Sequence, residues 1–151
     1  MHISWTFLDK RKGAIKAIGA YDSMEFILKH TDEEIAAVRV KMEGVGSPNL
    51  DGLPHAHDPS AGEKRILQGI EEIDLLKERY RQAVEYMTWF KPAWEKLSDE
   101  ERYVLGAFYM DGEEGGAAMV IASELNIERS SAYNKKNRAL DHLKTLLYGE
   151  A

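Results

Sequence analysis

The stretch Ile121–Leu147, IASELNIERSSAYNKKNRALDHLKTLL, decides the fold predicted for the C-terminal part of the chain. Its apolar residues recur at three- and four-residue steps, the spacing of one face of a helix. Asn126 tolerates left-handed backbone angles and predicts a turn between a helix over 117–125 and a last helix over 128–147. Two such helices are expected to cross steeply over a preceding helix through the apolar set Ile121, Ala122, Leu125, Ile127, Ala132, Ala139, Leu140 and Leu143.

The preceding helix is predicted to begin at Ser98-Asp99-Glu100-Glu101, which combines a capping serine with acidic residues in the first turn. Asp111-Gly112 is expected to end it, Gly115-Gly116 forms a second break, and Gly149 closes the last helix. Residues 97–151 therefore form a predicted three-helix domain. The inner face of its first helix consists of Val104, Leu105, Phe108 and Tyr109.

The first 59 residues contain a helical part and a breaking segment. Apolar residues between Thr6 and Met42 are spaced along one helix face, and Tyr21-Asp22-Ser23 is an expected interruption, so two helices or one broken helix would fit. The segment 43–59, EGVGSPNLDGLPHAHDP, holds three of the four prolines and three glycines. It predicts a long mobile loop, because proline and glycine sustain neither a helix nor a central strand.

A long helix is predicted after this loop, opened by a capping box of Ser60 and Glu63. Pro92 is expected to kink or divide it near Lys91. Its near-heptad apolar seam must pack against the 23–42 helix, as an antiparallel hairpin, or against a second copy of the chain. The predicted fold is all-α, with a long helical hairpin over 1–96 and a three-helix domain over 97–151. The seam comprises Ile66, Ile70, Ile73, Leu76, Tyr80, Val84, Met87, Phe90, Trp94 and Leu97.

The net charge of −6 is distributed unevenly along the chain. There are 15 basic and 22 acidic residues before Gly116, but five basic and four acidic residues after it. No acidic residue lies within 129–138, which holds four basic ones. Since phosphate binding depends on clustered Lys and Arg, the sequence predicts a small basic face on an acidic body.

Several function classes are excluded or disfavoured by composition. The absence of cysteine excludes disulfides, thiolate catalysis and cysteine-based zinc sites. No apolar run approaches the roughly 20 residues that cross a bilayer, and no signal peptide is visible, so a cytoplasmic location without membrane contact is expected. No catalytic motif is present, so no enzymatic activity is predicted.

Three isolated patterns have a functional and a simpler interpretation. His55 and His57, with Asp51 and Asp58, could hold zinc or nickel, but an exposed polar loop without metal is favoured, and no cofactor is predicted. Adjacent acids such as Glu71-Glu72 point in different directions on a helix and are expected to be solvated. Tryptophans could stack bases, but within an apolar seam they are expected in a core or an interface; they are Trp5, Trp89 and Trp94.

The outward face of the last helix carries the candidate binding residues. Its N-terminal part offers groups that hydrogen-bond to base edges, and its middle offers cations for phosphates. The base-reading part comprises Arg129, Ser130, Ser131, Tyr133 and Asn134, and the cationic part Lys135, Lys136 and Arg138.

This C-terminal segment resembles region 4 of sigma factors. It supplies the acid-rich first helix of that pattern in 97–102, the Ile121-Ala122 pair, the Leu125-Asn126-Ile127 turn and the Ala-Leu-x-x-Leu ending in 138–143. With the hairpin and the Pro/Gly-rich loop, the layout resembles the phage-associated regulators of the ArpU type. The sequence departs from the family pattern at Val120, Gly116-Ala117, Asn126 and Ala132.

The resemblance implies a helix-turn-helix transcription regulator of prophage or mobile-element origin. It places base reading on Arg129, Ser130, Tyr133 and Asn134, and backbone contacts on Lys135, Lys136 and Arg138. The expected partner is double-stranded DNA, with RNA polymerase and a second copy bound through the hairpin as further candidates. The alternative is a protein-interaction adaptor, anti-sigma-like or polymerase-binding, in which the helix-turn-helix is scaffold. A continuous positive stripe over 129–144 favours DNA, and its neutralisation by acids of the hairpin favours the adaptor.

Overall fold

A computed structural model describes residues 9–44, 59–111 and 114–149, with Glu114 described by its backbone only. Within these ranges the chain is all-α, as predicted, and contains no strand. None of the helices described there is long and apolar enough to cross a membrane. The helices are α1 (Lys10–Met42), α2 (Ala61–Lys96), α3 (Asp99–Tyr109), α4 (Glu114–Leu125) and α5 (Arg129–Tyr148).

Helix α1 is continuous, so the predicted interruption at Tyr21-Asp22-Ser23 is wrong. These residues are weaker helix formers than alanine, but each costs only a few tenths of a kcal/mol. Packing outweighs that cost, because Ala17 and Ile18 are buried just before them and the ring of Tyr21 lies 5.9 Å from that of Phe90.

Helix α2 runs through Pro92, so of the two predicted effects the division of the helix is wrong, and the kink stays a prediction. Proline removes one backbone hydrogen bond and crowds the preceding turn. Here Phe90, Ala93 and Leu97 are all buried, and this packing holds the helical path on both sides of the ring.

The apolar seam of α2 is buried only in part. Ile66, Ile70, Tyr80 and Val84 remain 39–46% exposed in the single chain, so the chain itself covers only part of the seam, and packing against a second copy stays a prediction. Ile73, Leu76, Phe90 and Leu97 are buried as predicted. The small residues Gly69, Ala83 and Ala93 are buried as well.

The described residues divide into two compact units, one within Met1–Met24 and Tyr86–Ala151 and one within Glu25–Glu85. These units differ in extent from the predicted domains 1–96 and 97–151, which stay a prediction.

In the 25–85 unit, the α1 and α2 segments share a small apolar core of Ile35, Val38, Ile73 and Leu76. The side chain of Met42 packs directly on Gly69, where an added Cβ would collide with it. At the edge of this core, the guanidinium of Arg79 donates hydrogen bonds of 2.8 and 2.9 Å to the carboxylate of Glu34.

The other unit has two apolar clusters. The first joins α1, α2, α3 and α5 and is rich in aromatic contacts, with Tyr86 stacked on Phe90 at 5.2 Å between ring centroids. The second joins α3, α4 and α5. Its buried members are Val104, Phe108, Ala117, Ala118, Ile121 and Ala132.

The start of α3 and the end of α5 follow the sequence prediction. Ser98 caps α3 through a capping box, in which its hydroxyl accepts from the N–H of Glu101 and the Glu101 carboxylate accepts from the N–H of Ser98. Gly149 closes α5 with a φ of 80°. Helix α4 differs from its prediction, because Gly115 and Gly116 lie inside it. Each glycine costs about 1 kcal/mol relative to alanine, and the buried apolar residues of α4 offset that cost.

Candidate nucleic-acid interface

The candidate interface depends on a tight turn between α4 and α5. Helix α4 ends at Leu125 and α5 begins at Arg129. Asn126 has a φ of 54°, the left-handed conformation expected from the sequence. The N–H of Ile127 donates a 2.9 Å hydrogen bond to the carbonyl of Ala122, which ties the turn back to α4.

One face of α5 is fixed by packing. Each of α3, α4 and α5 contacts the other two, and the buried residues of α5 include the predicted Ala132, Ala139, Leu140 and Leu143. Burial of this face leaves the opposite side of the helix in solvent.

Four of the eight predicted site residues are exposed. They are Arg129, Ser130, Asn134 and Arg138. Among the described residues, neither Arg129 nor Arg138 has an ion-pair partner. The side chain of the N-cap residue Glu128 accepts no hydrogen bond from the first turn of α5, so it does not cap the N–H groups there.

Ser131 and Tyr133 are half-buried. The ring of Tyr133 packs edge-on against Phe108 at 5.6 Å between centroids, within the α3–α4–α5 cluster. Tyr133 therefore contributes to packing, and only part of its side chain remains accessible.

Lys136 points inward. The residue is 8% exposed, and its ammonium lies 5.3 Å from the ring centroid of Phe108 and 5.5 Å from that of Tyr133. A buried lysine stem can pack as an apolar chain while its charge interacts with aromatic faces. Sequence reasoning assigned this residue to a phosphate contact, and the structure instead gives it a position in the core.

Lys135 remains at the surface but has an acidic partner. Its ammonium lies 2.5 Å from a carboxylate oxygen of Glu100 on α3. Both residues line a shallow pocket of about 240 Å³, together with Glu101, Val104, Arg138 and Ala139. The cationic edge of α5 therefore faces carboxylates of α3.

Glu101 is held by two hydrogen-bond partners. Burial would raise its pKa, but the N–H of Ser98 and the neighbouring His142, 2.7 Å away, outweigh that effect and lower the pKa below its usual value. The carboxylate at the start of α3 thus stays ionised at neutral pH.

Arg11 is a basic residue beside α5 that the sequence analysis did not include. Its guanidinium donates a 2.6 Å hydrogen bond to the side-chain oxygen of Asn137 and lies 3.9 Å from Asp141. The run Lys10-Arg11-Lys12 is the signal that could have drawn attention to it, but nothing local shows that it lies beside α5.

The positive stripe expected over 129–144 is interrupted. Lys135 is paired with Glu100, Lys144 lies 3.8 Å from Asp141, and Lys136 is buried. The neutralising acids belong to α3 and to α5 itself. Neither of the two outcomes anticipated from the sequence, a continuous stripe or neutralisation by the hairpin, describes this surface.

No family model, curated protein or solved structure matches this chain.

A metal site is not formed by the part of the chain that the structure describes, where no group of three or more His, Asp or Glu side chains converges. His55 and His57, with Asp51 and Asp58, lie outside the described residues, as does Trp5. Trp89 donates a 3.2 Å hydrogen bond to the carbonyl of Leu147, and Trp94 stacks on Phe90 at 5.5 Å, so both have structural contacts.

Proposed function

We propose that this chain is a DNA-binding transcription regulator that inserts the N-terminal part of α5 into the major groove. The observation that carries the proposal is the exposed set of Arg129, Ser130 and Asn134 on the first two turns of a helix that is held in place by its buried residues. A helix held in this way can enter a groove about 12 Å wide without losing its packing.

The proposal includes the finer architecture and the resemblance. In it, 97–151 is a sigma region 4-like helix-turn-helix domain, and 1–96 is a helical hairpin, in the manner of ArpU-type phage regulators. The three-residue turn after α4 and the contacts among α3, α4 and α5 support this assignment. The protein would act in the cytoplasm, with no enzymatic activity of its own.

Each exposed residue has a chemical role in the proposal. The guanidinium of Arg129 suits the paired acceptors of guanine, the amide of Asn134 suits adenine, and the hydroxyl of Ser130 suits either. Arg138 supplies a phosphate contact, while Lys135 stays paired with Glu100. With so few free cations, we expect a weak salt dependence, with a slope of log K against log salt of about −1 to −2.

Selection of bound fragments from a random duplex library, followed by fluorescence anisotropy in 50 to 200 mM salt, tests the proposal. Arg129→Ala should weaken binding to the selected site by about tenfold or more and relax its base preference. Arg39→Ala is the matched control, because this arginine is exposed on α1 and lies outside the interface. A wild-type protein that binds no duplex at low salt would contradict the proposal.

The second candidate is the protein-interaction adaptor. The ion pair between Lys135 and Glu100 favours it, and so does the exposure of Met119 and Val120 on α4. An adaptor should bind purified RNA polymerase holoenzyme or a sigma factor. Val120→Asp should weaken that complex and Arg129→Ala should leave it unchanged, the opposite of the order expected for DNA.

A further inference from the structure

An apolar stripe on α2, within the 25–85 unit, is left exposed after that unit has formed its core. It consists of Ile66, Ile70, Tyr80 and Val84, which we call the α2 stripe. At 100° per residue these positions fall within a sector of about 80° on the helix surface. Ile73 lies within the same sector and Leu76 lies beside it, and both are buried in the core shared with α1. The exposed residues of the stripe therefore lie on either side of this core along the helix.

The α2 stripe is symmetric in sequence about the level of residue 75. Ile66 and Val84 are equally far from that level, and so are Ile70 and Tyr80. Two copies of such a helix, packed antiparallel, would place each isoleucine beside the valine or tyrosine of the other copy. This is the self-complementarity that a two-fold interface requires, in which residue i contacts j and j contacts i.

The charges near the centre of the α2 stripe complement each other in the same arrangement. Asp74 and Lys77 are both exposed, and among the described residues neither forms an ion pair within its own chain. In an antiparallel pair centred on residue 75, Asp74 of one copy and Lys77 of the other lie within about 1.5 Å of the same axial level. The two-fold axis produces this pairing twice.

We infer that the α2 stripe binds the same stripe of a second copy of this chain, in an antiparallel homodimer. The contact runs over 66–84, about 27 Å of helix at 1.5 Å per residue. The symmetric apolar positions and the Asp74–Lys77 pairing select a second copy over an unrelated partner, since an unrelated helix has no reason to match both. The inference does not depend on DNA binding and stands on the 25–85 unit alone.

Sedimentation equilibrium of the full chain, over a range of concentrations, tests the dimer. Ile70→Glu should raise the dissociation constant at least about tenfold, because it removes two apolar contacts per dimer and adds two buried charges. Leu75→Glu is the matched control. Leu75 is 72% exposed and lies on the opposite side of α2, so this change should leave the dimer intact.

A charge exchange tests the pairing without touching the apolar residues. Asp74→Lys alone should weaken the dimer, and the double variant Asp74→Lys with Lys77→Asp should restore it. Circular dichroism identifies any variant that fails to fold. A monomeric wild-type chain, or a double variant no tighter than the single one, overturns the inference.

Orientation is tested by cross-linking, which the cysteine-free chain makes simple. In the antiparallel dimer, two copies of Ile70→Cys are about 15 Å apart along the axis and cannot form a disulfide with each other. A mixture of Ile70→Cys and Tyr80→Cys chains should form the mixed dimer on oxidation. Self-linkage of Ile70→Cys in preference to the mixed product would indicate a parallel pair and overturn the inference.

Discussion

The ammonium of Lys136 lies 5.3 Å from the ring centroid of Phe108, on the inner side of α5. All four basic residues in 129–138 were predicted to lie on the outward face of the last helix, and Lys136 is the one that is buried beneath it. The structure therefore places the residues of one basic cluster in two different environments. Lys136 stabilises the α3–α4–α5 packing, while Arg129 and Arg138 remain available to a ligand.

Lys136→Ala should lower the free energy of unfolding by about 1 to 2 kcal/mol, because it removes a buried stem and a cation–π contact. Arg138→Ala, on the exposed side, should change it by no more than about 0.5 kcal/mol. Urea unfolding followed by circular dichroism measures both. Equal effects of the two substitutions would argue that Lys136 is solvated in solution.

Glu100→Gln should strengthen binding to duplex DNA, since it releases the ammonium of Lys135 from its 2.5 Å ion pair. We expect the salt slope to steepen by about 0.9, the contribution of one additional phosphate contact. Stability should change by less than about 1 kcal/mol, as is usual for a pair near the surface. Glu95→Gln, an exposed carboxylate of α2, is the control and should leave the slope unchanged.

Two glycines of α1 should respond oppositely to alanine. An added Cβ at Gly13 would collide with the hydroxyl of Tyr148, whereas at Gly19 it would meet nothing within 4 Å. Gly19→Ala should raise stability by up to about 1 kcal/mol through helix propensity. Gly13→Ala should raise stability less than Gly19→Ala, or lower it, because the added Cβ displaces the side chain of Tyr148. The ring of Tyr148 packs 5.6 Å from that of Trp89, and this contact would be disturbed. Thermal unfolding measures the stability of both variants. Equal increases in stability would contradict the contact between the Tyr148 hydroxyl and Gly13.

The hydroxyl of Tyr86 donates a hydrogen bond to the carbonyl of Ala17. Burial, and then the nearby Tyr21 and Asp22, raise the pKa of this phenol. A raised pKa in the folded state stabilises the protein fully below the unfolded-state pKa of about 10, and this contribution is lost as the pH rises above it. Tyr86→Phe should cost about 1 kcal/mol at pH 8 and less at pH 10.5.

Urea unfolding at the two pH values measures that difference. Tyr103→Phe, at an exposed position, is the control and should cost little at pH 8. A Tyr86→Phe penalty that does not shrink between pH 8 and pH 10.5 would contradict the hydrogen-bonded, buried phenol.

Local chemistry was enough to predict several elements from the sequence. The all-α class follows from helical periodicity, the start of α3 from Ser98 and Glu101, the turn from Asn126 and the end of α5 from Gly149. Each of these signals depends on residues within three or four positions of one another, so it acts in the same way whatever the tertiary packing of the helix. The inner face of α5 was predicted for the same reason, because apolar residues recur with the helical period.

Tertiary packing decided what the local pattern left open. Tyr21-Asp22-Ser23 and Pro92 are breaking signals, yet α1 and α2 continue through them because packing contributes more than local propensity costs. The basic cluster shows the same limit. Lys135 and Lys136 are adjacent and chemically identical, but one faces Glu100 and the other Phe108, because burial depends on which residues of α3 lie opposite each position of α5.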